Sequence, residues 1–106
     1  MTNDQINRAI AEACGWSQVG HNGYQPVWAN SKGERWAESH LPDYANDLNA
    51  MHEVEELLSD LEYDLFLGSL IELCIVVGRE RINSATASER AEAFLRTIGK
   101  WEEVQP

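Results

Sequence analysis

Apolar residues recur at helical spacing near the start of the chain. Between Ile6 and Ala13 they repeat every three or four residues and form one apolar face. Thr2 and Gln5 have the spacing of a capping box, in which each side chain accepts a hydrogen bond from the backbone N–H of the other residue. Gly15 then supplies a residue that readily adopts the left-handed conformation at a helix end. The pattern predicts a first helix that stops near Cys14.

A second helical pattern follows a loop over residues 39–46. We expect this helix to begin at Asn46 or Asp47, because both residue types cap helices. The apolar residues on one side of it are Leu48, Met51, Val54, Leu57 and Leu58. A break near Ser59 and Asp60 separates it from the next element.

The segment from Leu61 to Val77 is the most apolar in the chain. Asp64, Gly68 and Glu72 form a narrow polar stripe at a spacing of four, which favours a helix. Residues 73–77 are also compatible with a buried strand, because periodicity does not separate the two structures in a short apolar run. We predict a helix over the whole segment.

A last helix is expected after a polar loop over residues 78–85. Thr86 and Glu89 have capping-box spacing, and an apolar face continues to Ile98 before Gly99 ends the helix. The tail over residues 101–106 is short and acidic.

Between the first and second helices, the pattern changes to short β-like segments. Asn22-Gly23 predicts a type I′ hairpin between residues 16–19 and 24–29, because both central residues of that turn need a positive φ. A second turn at residues 30–33 leads into residues 34–38. Pro26 cannot donate to a ladder, so we expect it at an outward-facing edge position or a bulge. The sequence therefore predicts a meander of two or three antiparallel strands.

Three stretches of sequence resemble small bacteriophage and prophage proteins of the "phage ABA sandwich" domain family. These are residues 44–53 (YANDLNAMHE), residues 85–101 (ATASERAEAFLRTIGKW) and, less extensively, residues 6–16. The resemblance implies an α/β/α sandwich, in which a small antiparallel sheet lies between helical layers, and it carries over no catalytic or ligand-binding residue. Together with the patterns above, it predicts one α+β domain over residues 1–106 with about four helices.

Charge excludes several classes of function. The 106-residue chain has 8 Lys and Arg against 18 Asp and Glu, and its formal net charge is −10. Such a chain is repelled by DNA, RNA and anionic lipid. No apolar run is long enough to span a membrane, no signal peptide opens the chain, and two cysteines sixty residues apart do not make a disulfide framework. We expect a cytoplasmic protein, in the host cell if phage-encoded, with reduced thiols.

No residue set carries a catalytic, cofactor or metal signature. His52 and Glu56 lie one helical turn apart as two zinc ligands would, but a solvated helix face explains them better. Cys14, at a helix C-terminus, and Cys74, in the most apolar run, fit buried small hydrophobic residues better than nucleophiles. We therefore expect no enzyme activity and no cofactor.

Two aromatic residues offer a further candidate surface. Trp28 and Trp36 lie on adjacent predicted strands, where they could be cross-strand neighbours. If they were exposed to solvent, they would suit contact with a peptide, base or sugar. Core positions beneath covering helices are the favoured interpretation. A separate hypothesis is a small-molecule sponge that holds a nucleotide-like ligand between aromatic rings in an oligomer interface.

The acidic residues are unevenly distributed. From Trp36 to Gly78 there are ten Asp and Glu and no Lys or Arg, whereas the charges cancel from Arg79 onward. One interpretation is a solubilising surface; another is an acidic face that binds a basic host protein, with Glu53, Glu55, Glu56 and Asp60 as its candidate residues. The resulting hypothesis is a non-enzymatic, protein-binding phage accessory protein. The alternatives are a nucleic-acid-mimicking antagonist of a host defence enzyme and the sponge.

The helix over residues 61–77 also predicts self-association. Its apolar residues spread around most of the circumference, and a small domain rarely surrounds one helix on all sides. We expect a homodimer in which the excess apolar face meets a second copy, with Phe66, Leu67 and Leu70 as candidate contacts.

Overall fold

The computed structural model describes residues 1–76, 78 and 85–102, which form four helices and a three-stranded antiparallel sheet. The helices are α1 (Asn3–Ala13), α2 (Leu48–Glu55), α3 (Asp60–Val76) and α4 (Ala87–Thr97). The strands are β1 (Ser17–His21), β2 (Pro26–Ala29) and β3 (Arg35–Ala37), and a 3₁₀ turn at Glu38–His40 follows β3. The predicted α+β fold is confirmed.

Both predicted capping boxes are present. At the start of α1, the Thr2 hydroxyl accepts a hydrogen bond from the Gln5 N–H at 3.2 Å, and Gln5 Oε1 accepts one from the Thr2 N–H at 2.8 Å. Thr86 and Glu89 exchange the same pair of bonds at the start of α4, at 3.1 and 2.9 Å. These bonds satisfy N–H groups that a helix start otherwise leaves without partners.

The two central helices begin and end near the predicted residues. Asp47 caps α2 by accepting from two backbone N–H groups, and Ser59 and Glu62 exchange a capping-box pair of bonds at the start of α3. The strand alternative for residues 73–76 is wrong, since α3 continues as one helix to Val76. Val77, the predicted loop at residues 79–84 and the last four residues of the tail lie outside the described residues.

The predicted type I′ turn is wrong. All described residues with a positive φ are glycines, so Asn22 does not have the positive φ that a type I′ turn needs. Instead, residues 22–25 form a four-residue loop in which Asn22 Oδ1 accepts from the N–H groups of Tyr24 and Gln25, each at 2.9 Å. The Asn side chain thus replaces the turn hydrogen bonds, and Tyr24 and Gln25 leave the strand predicted for them.

The sheet has the predicted meander order, β1-β2-β3. Trp28 lies directly opposite Trp36, which confirms that they are cross-strand neighbours. The bulge predicted as one possibility for Pro26 occurs in β1 instead, between Gln18 and Gly20, while Pro26 is the first residue of the central strand. A proline is tolerated there because the ladder with β3 begins one residue later. Every residue of β1 is exposed, so no layer formed by the described residues covers this strand.

Helix α4 lies at the centre of the helical part. It packs against α1, α2 and α3, and its buried side consists mainly of small residues, namely Ala87, Ala91, Ala93, Phe94 and Leu95. Helix α3 contributes Phe66, Leu70 and Cys74 to this core, and α1 contributes Ile6 and Ile10. The shortest dimension of the molecule is 22 Å, which is about two helix diameters.

The apolar face predicted for α2 is only partly buried. Met51 and Val54 are in the core, but Leu48 and Leu57 are exposed. The helix ends at Glu55, so Leu57 and Leu58 no longer follow its helical spacing.

We predict that Thr86→Ala lowers the free energy of unfolding by about 1 kcal/mol, because it removes the cap of the central helix. Ser88→Ala, at an exposed position two residues later, should change it by less than about 0.5 kcal/mol. Urea unfolding followed by circular dichroism measures both values. Equal effects of the two substitutions would contradict a stabilising role of the cap.

Candidate protein-binding surface

Helix α3 has one buried side and one exposed side, and both are apolar. Phe66, Leu70 and Cys74 are buried against the core. At about 100° per residue, five residues lie about 180° from the middle of that buried side. They are Leu61, Leu65, Gly68, Glu72 and Ile75, and we call them the outer face of α3.

The apolar residues of the outer face are exposed to an extent that is unusual for large side chains. The exposed fraction is 72% for Leu61, 57% for Leu65 and 69% for Ile75, and the adjacent Val76 is 82% exposed. Single exposed leucines are normal, whereas several large apolar side chains exposed along one stripe of a helix are typical of an interaction site. The thinness of the molecule explains the exposure, because α4 packs against one side of α3 and leaves the other at the surface.

Carboxylates accompany this face. Glu72 is part of it, and Asp60 and Asp64 are exposed on the same helix. Glu56, one of the predicted acidic residues, is exposed just after α2 and lines the same cleft as Asp60. Glu53 is also exposed, but it lines a different pocket, on the side of α2 that faces Cys14. Since residues 36–78 contain no Lys or Arg, nothing in this part of the sequence neutralises them. The surface therefore combines exposed apolar area with negative charge.

Glu55, the remaining residue predicted for the acidic surface, is not part of it. Its exposed fraction is 7%, and its Oε1 pairs with Nη1 of Arg90 on α4 at 2.5 Å. Its Oε2 is buried without a hydrogen-bond partner among the described residues. Burial raises the pKa of Glu55, and the nearby charge of Arg90 opposes this shift. The prediction for Glu55 is corrected: it links α2 to α4 inside the molecule.

Helical spacing could have revealed the position of Glu55. It follows the core residue Met51 by four positions, so it lies on the buried side of α2. Arg90 likewise precedes the buried Phe94 by four positions, so it lies on the buried side of α4. A carboxylate and a guanidinium on the core-facing sides of two packed helices indicate an ion pair. Glu53 and Glu56 do not share this position, since both are exposed.

The cleft between α2, α3 and α4 contains His52 and Glu56, the two residues whose spacing resembles that of zinc ligands. It has a volume of about 450 Å³, and its lining includes His52, Glu56, Asp60, Tyr63 and Arg90. Within the described ranges, no group of three or more His, Cys, Asp or Glu residues has an arrangement that could hold a metal ion. His52 and Glu56 are both exposed, in line with the solvated helix face expected for them.

Cys14 lies in a small pocket with an aromatic neighbour. The pocket has a volume of about 210 Å³ and is lined by Cys14, Tyr44, Glu53 and Val54 among others. Burial raises the pKa of the half-buried Cys14 thiol, although its hydrogen bond with Tyr44 acts in the opposite direction. Burial also raises the pKa of Tyr44. The thiol is thus less ionised than a free one, the reverse of what activates a nucleophilic cysteine.

The two tryptophans are in different environments. Trp28 is 1% exposed and its indole N–H donates to Glu38 Oε1 at 3.3 Å, while the same oxygen pairs with Arg8 Nε at 3.0 Å. Trp36 is 44% exposed, and its ring lies 6.0 Å from that of His40. The core interpretation is correct for Trp28 and incorrect for Trp36, so the two rings do not form one exposed platform.

The residues predicted for self-association lie largely inside the molecule. Phe66 and Leu70 are fully buried in the core of the single chain, and Leu67 is partly buried against it. These predicted contacts are corrected, because a second copy could reach Phe66 or Leu70 only if the core opened. The excess apolar surface that motivated the prediction lies on the outer face of α3.

We predict that Glu55→Ala lowers the free energy of unfolding by about 3 kcal/mol, because it leaves the Arg90 guanidinium buried without this carboxylate. Glu53→Ala, two residues earlier on the same helix, is the control and should cost less than about 0.5 kcal/mol. Urea unfolding at neutral pH measures both. Similar small values for the two variants would show that Glu55 is a surface residue after all.

We also predict that iodoacetamide alkylates Cys14 at pH 8 more slowly than it alkylates free cysteine, since the raised pKa of Cys14 reduces its thiolate fraction. Mass spectrometry of the native protein at successive times gives the rate, and the urea-unfolded protein is the control. Alkylation faster than that of free cysteine would contradict this description of the pocket.

Comparisons with protein-family models, curated proteins and solved structures find no match to the chain. The resemblance to phage sandwich proteins therefore remains a prediction. In the part of the chain that the structure describes, no helix combines the length and apolar character needed to cross a membrane.

Proposed function

We propose that the protein is a non-enzymatic binding module that engages a basic protein partner through the outer face of α3 and the carboxylates around it. The observation that carries the proposal is the exposure of Leu61, Leu65 and Ile75 on one stripe of a helix whose opposite side is fully buried. A soluble monomer gains nothing from such a stripe, whereas a partner that covers it removes apolar area from water.

The negative charge supports a basic partner. Asp60, Asp64 and Glu72 lie on the same helix as the apolar stripe, and the net charge of the whole chain is −10. Opposite charges across an interface accelerate association and disfavour wrong partners. Apolar contacts would supply affinity here, and the carboxylates would supply selectivity for Lys-rich or Arg-rich surfaces.

The nucleic-acid-mimic hypothesis receives less support from these residues. A mimic of a phosphate backbone needs carboxylates in a continuous polar array, because phosphate contacts are polar and regularly spaced. The exposed side of α3 instead places leucines between its carboxylates, and Glu55 is withdrawn into an ion pair. The burial of Trp28 removes one aromatic ring that could have held the ligand of the sponge hypothesis.

We predict that replacing Leu61 and Leu65 together with Asn reduces partner binding strongly and leaves the melting temperature nearly unchanged, because both side chains are exposed. Tyr24→Ser is the matched control, since Tyr24 is a larger exposed residue on the hairpin loop. Each form is used to capture proteins from bacterial lysate, and a protein retained by the wild type is purified and titrated.

The proposal requires that the purified partner bind the wild type and Tyr24→Ser equally and the double variant at least about tenfold more weakly. It also requires that salt weaken the complex. Equal affinity for all three forms, or the absence of any partner that distinguishes them, would contradict the proposal.

A further inference from the structure

We infer that the partner presents an amphipathic helix with basic flanks, and that this helix crosses α3 over Gly68. The inference rests on the proposed function and deepens it, because it names the partner's secondary structure, its charge and the point of closest approach. Three features of the outer face carry it: the glycine, the spacing of the apolar residues and the sign of the charges.

Gly68 lies in the middle of α3, where glycine is unfavourable. Glycine in a helix interior is less stable than alanine because it loses more conformational freedom on folding. Nothing within the described chain requires it, since a Cβ atom built on Gly68 would meet no atom within 4 Å and its φ is not positive. A position that costs stability and leaves open space above the backbone is suited to the close approach of another backbone.

The spacing around Gly68 matches a helix-packing seam. The outer-face residues follow one another at intervals of four, three, four and three, which is the repeat that keeps one helix in contact with another. Leu61 and Leu65 lie on one side of Gly68 and Ile75 on the other. A helix that crosses at the glycine would therefore meet apolar side chains in both directions.

The charges identify the occupant as a basic helix rather than a second copy of this chain. In a symmetric pair of α3 helices, Asp64 and Glu72 would meet the same carboxylates of the other copy, and residues 36–78 offer no Lys or Arg to neutralise them. Like charges held close together across an interface are unfavourable. A helix with Lys or Arg on either side of its apolar stripe would instead pair with these carboxylates.

Three synthetic peptides of about 18 residues test the inference with the intact protein. The first is a Leu/Lys amphipathic helix with alanine at its centre; the second has the same composition in scrambled order; the third has Glu in place of Lys. We expect micromolar binding of the first peptide alone, with loss of most of its affinity between about 50 mM and about 500 mM NaCl. Isothermal titration calorimetry measures the affinities.

Gly68 variants locate the crossing point. Gly68→Leu should raise the melting temperature of the free protein by about 4 °C, because leucine is a better helix former than glycine. The same substitution should lower the affinity for the first peptide at least about tenfold, because the leucine side chain would fill the space that the peptide helix needs. A loss of affinity in a variant that is more stable cannot result from unfolding. Ser69→Leu is the matched control, since it adds the same side chain one position away, outside the outer face.

Four results would overturn the inference. The first is that the scrambled peptide binds as tightly as the first peptide, and the second is that Gly68→Leu binds the first peptide as tightly as the wild type does. The third is that Ser69→Leu loses as much affinity for the first peptide as Gly68→Leu does. The fourth is that light scattering shows a stable dimer of the wild type that Gly68→Leu dissociates. The first three results leave the proposed function intact, because that proposal is tested separately by whether a natural partner distinguishes the Leu61 and Leu65 double variant from the wild type. The fourth result would contradict the proposed function as well, because a second copy would then cover the outer face.

Discussion

Packing against α4 determines how the rest of this small protein is arranged. The buried side of α4 is built largely from alanines, so α1, α2 and α3 can all approach it closely. In a molecule only 22 Å thick, a helix that packs on α4 has one side inside and one side at the surface. For α1 and α2 the outer side is polar or only partly apolar. For α3 it is apolar, and that difference is the origin of the proposed binding surface.

The buried ion pair between Glu55 and Arg90 belongs to the same arrangement. It connects α2 to α4 where their core-facing sides meet, and its carboxylate has a raised pKa because desolvation outweighs the attraction of the guanidinium. Removing one partner of such a pair is costly, because the charge that remains is left buried and uncompensated. By fixing α2 on α4, it also determines where the exposed carboxylates Glu53 and Glu56 lie relative to α3.

Much of this architecture could be predicted from the sequence, because the decisive signals are local. Thr2, Asp47 and Thr86 cap helices through bonds to residues two or three positions away, and the pairing of Trp28 with Trp36 follows from the turn between their strands. The prediction of a type I′ turn was wrong for a local reason as well, since the Asn22 side chain accepts hydrogen bonds from the backbone N–H groups of Tyr24 and Gln25.

The side of α3 that faces the core could not be predicted in the same way. Its residues are apolar around most of the helix, so no polar side distinguishes inside from outside. The packing of α4 determines which side of α3 is buried, and α4 lies more than ten residues further along the chain. Phe66 and Leu70 pack in the core, whereas Leu61 and Leu65 remain exposed. The sequence indicated excess apolar area correctly but assigned it to the wrong residues.

Paramagnetic relaxation by a soluble gadolinium complex tests most directly whether the outer face is uncovered in the free protein. The measurement compares methyl signals of Leu61, Leu65 and Ile75 with those of Leu70 and Leu95, which are fully buried in the core. We predict strong relaxation enhancement for the three outer-face residues and almost none for the two core residues. Protection of Leu61, Leu65 and Ile75 equal to that of Leu70 would contradict the account, because the proposed surface would then be covered.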